Sequence, residues 1–210
     1  MTNWPARFEV REALGRGSFG EVVAAYDRTR EMEVAVKRLL RTNDQDIWRF
    51  KREFRSLADI HHPNLVTLYE LLQDDHGQWL LTMERLRGAP PRTPDDWHDA
   101  LPGVLSGLRA LHDAGHVHRD LKPSNLLAVE RGPVLLDFGL IAPRHRAEGR
   151  VGSLAGLAPE QIAERGDVGP AADYYALGAM LFESLAGRAP FVGRGAQVLA
   201  RKAREDAPSV

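Results

Sequence analysis

The sequence predicts an α+β fold in two parts: a five-stranded first part carrying one helix, then a mainly helical second part. Three observations predict it. Residues 7–84 hold five short runs of strand-type composition, separated by Gly-rich or charged turns. One segment among them, 44–60, instead places Ile47, Phe50, Phe54 and Leu57 on a single helical face. Beyond residue 94 two long segments carry helical patterning, 95–115 and 171–186.

Taken in order, 8–14, 21–27 and 32–39 read as the first three strands, and 44–60 as the helix. Two more strands follow at 65–72 and 78–83, split by the turn Asp74-Asp75-His76-Gly77. Glu84-Arg85-Leu86-Arg87-Gly88 then leads into a stretch with Pro90, Pro91 and Pro94, whose prolines forbid a regular helix and mark a linker. The helix 95–115 is expected to start on Asp95 or Asp96 as its cap and to stop at Gly115. The segment 171–186 is strongly apolar and ends at Gly187, as suits a helix in the centre of the second part. A shorter helix is expected at about 194–204.

Composition narrows the function classes. The chain has 210 residues, 43% hydrophobic and 27% charged, the balance of a soluble globular protein with one large domain or two small lobes. A net charge of −1 gives no nucleic-acid footprint. With no cysteine, disulfides and thiolate metal sites are excluded. No apolar run is long enough for a membrane span and no signal peptide is apparent, so a cytoplasmic protein is expected. His112, His116 and His118 lie close in sequence, but no metal-ligand spacing completes a site around them.

The densest chemistry lies in His118-Arg119-Asp120-Leu121-Lys122-Pro123-Ser124-Asn125, followed by Asp137-Phe138-Gly139. Phosphoryl transfer needs an acceptor for a hydroxyl proton, a positive charge near the moving phosphoryl group and oxygen ligands for Mg²⁺. Asp120, Lys122 and the pair Asn125 and Asp137 are the residue types that meet those needs. Upstream, Gly15-Arg16-Gly17-Ser18-Phe19-Gly20-Glu21-Val22 lacks side-chain bulk where backbone N–H groups must approach phosphate oxygens. Alone, that pattern is also what an ordinary Gly-rich β-turn looks like. Val34-Ala35-Val36-Lys37 follows it at the next strand.

These motifs, in this order, resemble those of the serine/threonine protein kinases, most nearly the eukaryotic-like kinases of bacteria. The likeness runs over nearly all of residues 8–203. It implies a bilobal kinase-like fold and one kinase domain over 1–210, with an antiparallel five-stranded small lobe at 7–84, hinge and linker at 85–94, and a shortened, mainly helical second lobe at 95–210. It implies ATP with Mg²⁺, or Mn²⁺ in its place, and a protein substrate. Asp120 would align the acceptor hydroxyl, Lys122 would neutralise the γ-phosphate, and Asn125 and Asp137 would hold the metal. Lys37 would meet the α- and β-phosphates under Gly15, Gly17, Ser18, Phe19 and Gly20. Glu53 would hold Lys37, with Glu31, Glu33 and Glu21 as weaker alternatives. Val22, Ala35 and Leu127 would sandwich the adenine, Met83 would stand behind it, and the backbone of Glu84 and Leu86 would bond it. His118 and Phe138 would pack with Leu57 and Leu68, and Asp173 would anchor the backbone of His118 and Arg119.

The chain also departs from the family pattern. Leu154 stands for a proline and Gly156 for an aromatic in Gly152-Ser153-Leu154-Ala155-Gly156-Leu157-Ala158-Pro159-Glu160. Residues 140–152 hold no Ser, Thr or Tyr, so that loop offers no hydroxyl to phosphorylate. Either the loop is held constitutively, with Glu148 as a stand-in anion, or regulation lies elsewhere. Arg144, His145, Arg146 and Arg150 make the same loop basic. The resemblance further implies that the last helices of the second lobe, and the arginine that would pair with Glu160, are missing. That favours self-association or a partner protein there. Beside an active kinase, a nucleotide-binding pseudokinase or scaffold, and a small-molecule phosphotransferase, stay open.

Overall fold

The computed structural model describes residues 4–17, 20–39, 51, 54–137, 156–162 and 168–209. The chain forms two compact units, Met1–His62 with Val66–Arg87, and Pro63–Leu65 with Gly88–Val210.

The first unit is one antiparallel sheet in the order β1-β2-β3-β5-β4. Its strands are β1 (Phe8–Gly17), β2 (Gly20–Asp27), β3 (Met32–Leu39), β4 (Leu68–Gln73) and β5 (Trp79–Glu84). A helix, α1, is described at 54–58. Strands β1 and β2 run closer to the glycines than expected, ending and starting on the pair Gly17 and Gly20. That approach needs glycine at 20: its φ is +152°, and a Cβ there would stand 2.0 Å from the Arg38 carbonyl oxygen.

Period-two alternation divides the sheet. One face buries Phe8, Val23, Ala25, Val34, Val36 and Leu80, with Trp4, Tyr69 and Leu72 packed against them. The register pairs Val22 with Lys37 and Ala35 with Met83, so these four side chains share the opposite face. At the chain's entry, the Arg7 guanidinium donates from Nε and Nη2 to the two carboxylate oxygens of Asp27, and from Nη2 to Glu70 at 2.7 Å. The Asp27 side chain is fully buried. Burial alone would push its carboxyl up; Arg7 and the N–H groups of Thr29 and Arg30 outweigh this and hold it below the usual carboxylate range.

In the second unit α2 spans Pro94–Asp113 and buries Trp97, Ala100, Val104, Leu108 and Leu111 along one stripe. It starts one residue before the expected boundary, and neither Asp95 nor Asp96 is its cap. Thr93 is, accepting from the Asp96 N–H while the Asp96 carboxylate accepts from the Thr93 N–H. Pro94, read as a helix breaker, sits in the first turn where no N–H is required. The N–H groups of Thr93 and Arg92 hold the Asp96 carboxyl below its usual range.

A short hairpin follows, β6 (Leu126–Val129) with β7 (Gly132–Leu135). Its edges are met by Ala89, which bridges Ala128, and by Leu65, which bridges Leu135. Residue 65 was expected to open a strand of the first part. It lies instead in this unit, because the Asn64 side chain donates to the Pro133 carbonyl at 2.7 Å and the Asn64 carbonyl accepts from the Leu135 N–H at 2.9 Å. The further helices among the described residues are α3 (Pro159–Ile162), α4 (Ala171–Ala186) and α5 (Ala196–Lys202). The apolar α4 ends at Gly187 in the left-handed conformation, as its sequence predicts. No helix among the described residues is long and apolar enough to cross a membrane.

Candidate active site

The octet 118–125 is an irregular segment held from both sides. Asp173, in the first turn of α4, is 1% exposed and accepts the His118 N–H on Oδ2 and the Arg119 N–H on Oδ1, each at 2.8 Å. His112, in the last turn of α2, donates from Nε2 to the same Oδ2 at 2.8 Å. Three donors therefore satisfy a carboxylate that could not otherwise be buried. The expected anchoring of His118 and Arg119 is found; the part of His112 was not foreseen. Arg119 has a φ of +65°, an unusual conformation for a non-glycine residue, and the Asp173 contact fixes it.

His118 is wholly buried, and its Nε2 donates to the Leu136 carbonyl at 2.9 Å. Burial pushes its imidazole below the usual histidine range, although the charge of Asp173 works the other way. Its full burial suits the packing role expected of it, while Phe138, expected to pack beside it, lies outside the described residues.

Beyond Arg119 the chain turns so that Asp120, Lys122 and Asn125 meet. Lys122 Nζ is 2.5 Å from Asp120 Oδ2. Asn125 donates from Nδ2 to the Asp120 carbonyl at 2.9 Å and to Oδ2 at 3.3 Å. A single 3₁₀ turn at Pro123–Asn125 makes this possible, with Pro123 at its start and the Asn125 N–H bonded to the Lys122 carbonyl.

The hairpin completes the arrangement. Asn125 precedes β6, Leu136 and Asp137 follow β7, and the register pairs Leu126 with Leu135. One step further the Leu136 N–H donates to the Asn125 carbonyl at 2.9 Å. Asn125 and Asp137, twelve apart in sequence, are so returned to nearby backbone positions. Asp137, like Arg119, takes a positive φ, +52°. The Asn125 amide nitrogen is engaged by Asp120, which leaves its Oδ1 as the donor for a cation. Oxygen donors of the Asn125 and Asp137 types are those Mg²⁺ takes, so these two residues are the candidates that could hold it.

A cleft beside this cluster is lined by Asp120, Lys122, Pro123, Gly156, Leu157 and Met180. Gln161, in α3, links its two sides. Its Nε2 donates to the Arg119 carbonyl at 3.0 Å while its Oε1 accepts from the Ala158 N–H at 2.9 Å. Sequence reasoning missed Gln161, although its place directly after Pro159-Glu160 was a usable signal.

The expected nucleotide residues are only partly described. In the first unit Lys37 is 7% exposed in β3, with Val22 and Leu81 as its cross-strand neighbours. Ala35 and Met83 are buried side by side, and Glu84 closes β5 with Leu86 two residues on. Gly15 and Gly17 end β1 and Gly20 opens β2. Leu127, in the second unit, is half-buried in β6. Ser18, Phe19, Glu53, Glu148, Ser153 and Leu154 lie outside the described residues.

Comparison with known proteins agrees with this geometry. The family model described as the protein kinase domain matches residues 8–208. The chain is 38% identical over 209 residues to the DNA damage-responsive serine/threonine-protein kinase RqkA of Deinococcus radiodurans, covering 89% of this chain and 31% of that one. It is 33% identical over 223 residues to the probable serine/threonine-protein kinase PknB of Bifidobacterium longum, covering 92% and 32%. Against the serine/threonine-protein kinase PrkC of Bacillus subtilis it is 33% identical over 215 residues, covering 93% and 33%. The chain thus spans about a third of the length of these relatives.

Proposed function

The chain belongs to the protein kinase family, and from that membership we propose that it transfers the γ-phosphate of Mg-ATP to a serine or threonine hydroxyl of a protein substrate. The observation that carries the reading is the meeting of Asp120, Lys122 and Asn125 on one carboxylate, with Asp137 returned beside Asn125 by the hairpin. In the proposed reaction Asp120 orients the acceptor hydroxyl and takes its proton late. The new phosphorus–oxygen bond forms as the bond to the ADP oxygen breaks, and Lys122 offsets charge on the phosphoryl group in flight.

Asn125 and Asp137 are the residues we assign to Mg²⁺, and Mn²⁺ suits the same oxygens. When bound, the ion supplies positive charge against the phosphates. For the nucleotide we assign Lys37 to the α- and β-phosphates with Glu53 as its partner, and Gly15, Gly17, Ser18, Phe19 and Gly20 to the phosphate backbone. Val22, Ala35, Leu127 and Met83 are assigned to the adenine, and the main chain of Glu84 and Leu86 to its polar edge. Lys122, two residues after Asp120, favours serine or threonine over tyrosine as acceptor.

The test is transfer of labelled γ-phosphate from Mg-ATP to the chain itself and to generic protein substrates. Label on Ser or Thr that disappears in Asp120→Asn supports the reading. A folded chain that binds Mg-ATP yet labels nothing would replace it with a nucleotide-binding scaffold.

A further inference from the structure

Lys202 ends α5 with only 4% of its surface exposed, a rare state for a lysine. Its Nζ donates to the Leu157 carbonyl at 2.7 Å and lies 5.0 Å from the centre of the Tyr175 ring on α4. Leu157 is a wall of the cleft that holds Asp120. One residue on, the Ala158 N–H is taken by Gln161, whose amide reaches the Arg119 carbonyl. A continuous series of hydrogen bonds therefore runs from α5, through 157–158, to the residue before Asp120. The wall also stands close to the loop: a Cβ at Gly156 would lie 3.4 Å from the Leu121 carbonyl oxygen.

Resting on the phosphotransfer reading, we propose that Lys202 and Gln161 are positioning residues for the protein substrate, holding 156–158 as the wall of its seat beside Asp120. Lys202 fixes the wall from α5 and Gln161 fixes it to the loop that carries Asp120.

Burying an ammonium is costly unless it is bonded, and the Leu157 carbonyl is an acceptor that Lys202 meets there, which ties α5 to the wall. Burial pushes the Lys202 ammonium down to about 8, so it is still charged at neutral pH. Among the described residues, the titratable groups around it include Tyr175 on α4, Glu160 on α3, whose charge acts on Tyr175, and Arg201, paired with Glu205, beside it on α5. Burial, and then the charge of Glu160, raise the Tyr175 phenol above its usual range, so it is neutral where Lys202 titrates.

The experiment compares the 210-residue chain with Lys202→Met, Lys202→Arg and Gln161→Ala, using a serine peptide drawn from a degenerate library and varying peptide and ATP separately. Lys202→Met is expected to raise KM for the peptide about tenfold and leave KM for ATP within about twofold. Its melting temperature should fall only modestly, since the Leu157 carbonyl loses one donor. Gln161→Ala should shift the peptide KM in the same direction. In the parent chain kcat/KM for the peptide should fall above pH about 8, while Lys202→Arg keeps its activity there. An unchanged peptide KM in Lys202→Met, or a fall in melting temperature with both KM values rising together, overturns the inference. A parent chain that transfers no phosphate overturns the function reading instead.

Discussion

Asp173 accepts the Arg119 N–H at 2.8 Å and so holds a non-glycine residue at a φ of +65°, one position before Asp120. The contact is where the buried helix α4 meets the loop chemistry. Asp173→Ala would leave two backbone N–H groups and the His112 Nε2 without their acceptor, at a cost of about 3 kcal/mol. Chemical denaturation should show that loss together with abolished phosphate transfer. A stable, active Asp173→Ala would mean that the loop holds its shape unaided.

His118 sets a pH dependence. Burial lowers its folded-state pKa, so the unfolded chain binds that proton more readily. Its contribution to stability is complete above about pH 6.5 and is lost as the pH falls below that value. Melting temperature should decline between about pH 7 and 5.5, with a flatter decline in His118→Phe. Equal slopes in the two proteins would remove His118 as the cause.

Arg7 and Asp27 give a second, more acidic dependence. With the Asp27 carboxyl held below its usual range, the pair's stabilisation is present above about pH 4 and disappears as the pH falls through the lowered value. Arg7→Leu leaves a fully buried carboxylate without its guanidinium and should cost about 3–5 kcal/mol at neutral pH. Adding Asp27→Asn should recover part of that loss. A double variant no better than Arg7→Leu would show that the buried charge is not what hurts.

The glycines of the first turn separate by physics. Gly20→Ala forces a Cβ against the Arg38 carbonyl at a positive φ and should destabilise the sheet by about 2 kcal/mol or more. Gly15→Ala meets nothing within 4 Å and should leave the melting temperature unchanged. Thermal melts of the two variants are sufficient; equal losses would contradict the geometry.

The parts of this molecule that could be read from sequence are those set by neighbours in the chain. Strand-type composition between turns in 32–39 and 78–83 placed two central strands to within a residue, and the apolar run ending at Gly187 placed α4. Asp120, Lys122 and Asn125 lie within six residues, so their spacing nearly determines their meeting. What escaped depends on distant partners. Leu65 looked like the start of a strand because its bridge to Leu135 cannot be seen locally. Pro94 looked like a breaker because its tolerance depends on Thr93 serving as cap. Lys202 and His112 carry no signal beyond their own names; only folding brings one to Leu157 and the other to Asp173.

The place of Pro63–Leu65 within the second unit bears on how the chain matures. Asn64 must wait for Pro133, 69 residues downstream, before its side-chain bond can form. While the chain emerges from the ribosome, β1, β2 and β3 can already pair, whereas this three-residue insertion stays unmatched until the hairpin β6–β7 exists. A fragment beginning at Gly88 would never receive it. The Leu135 N–H and the Pro133 carbonyl would then stand open on a strand edge, where another molecule's backbone could pair with them.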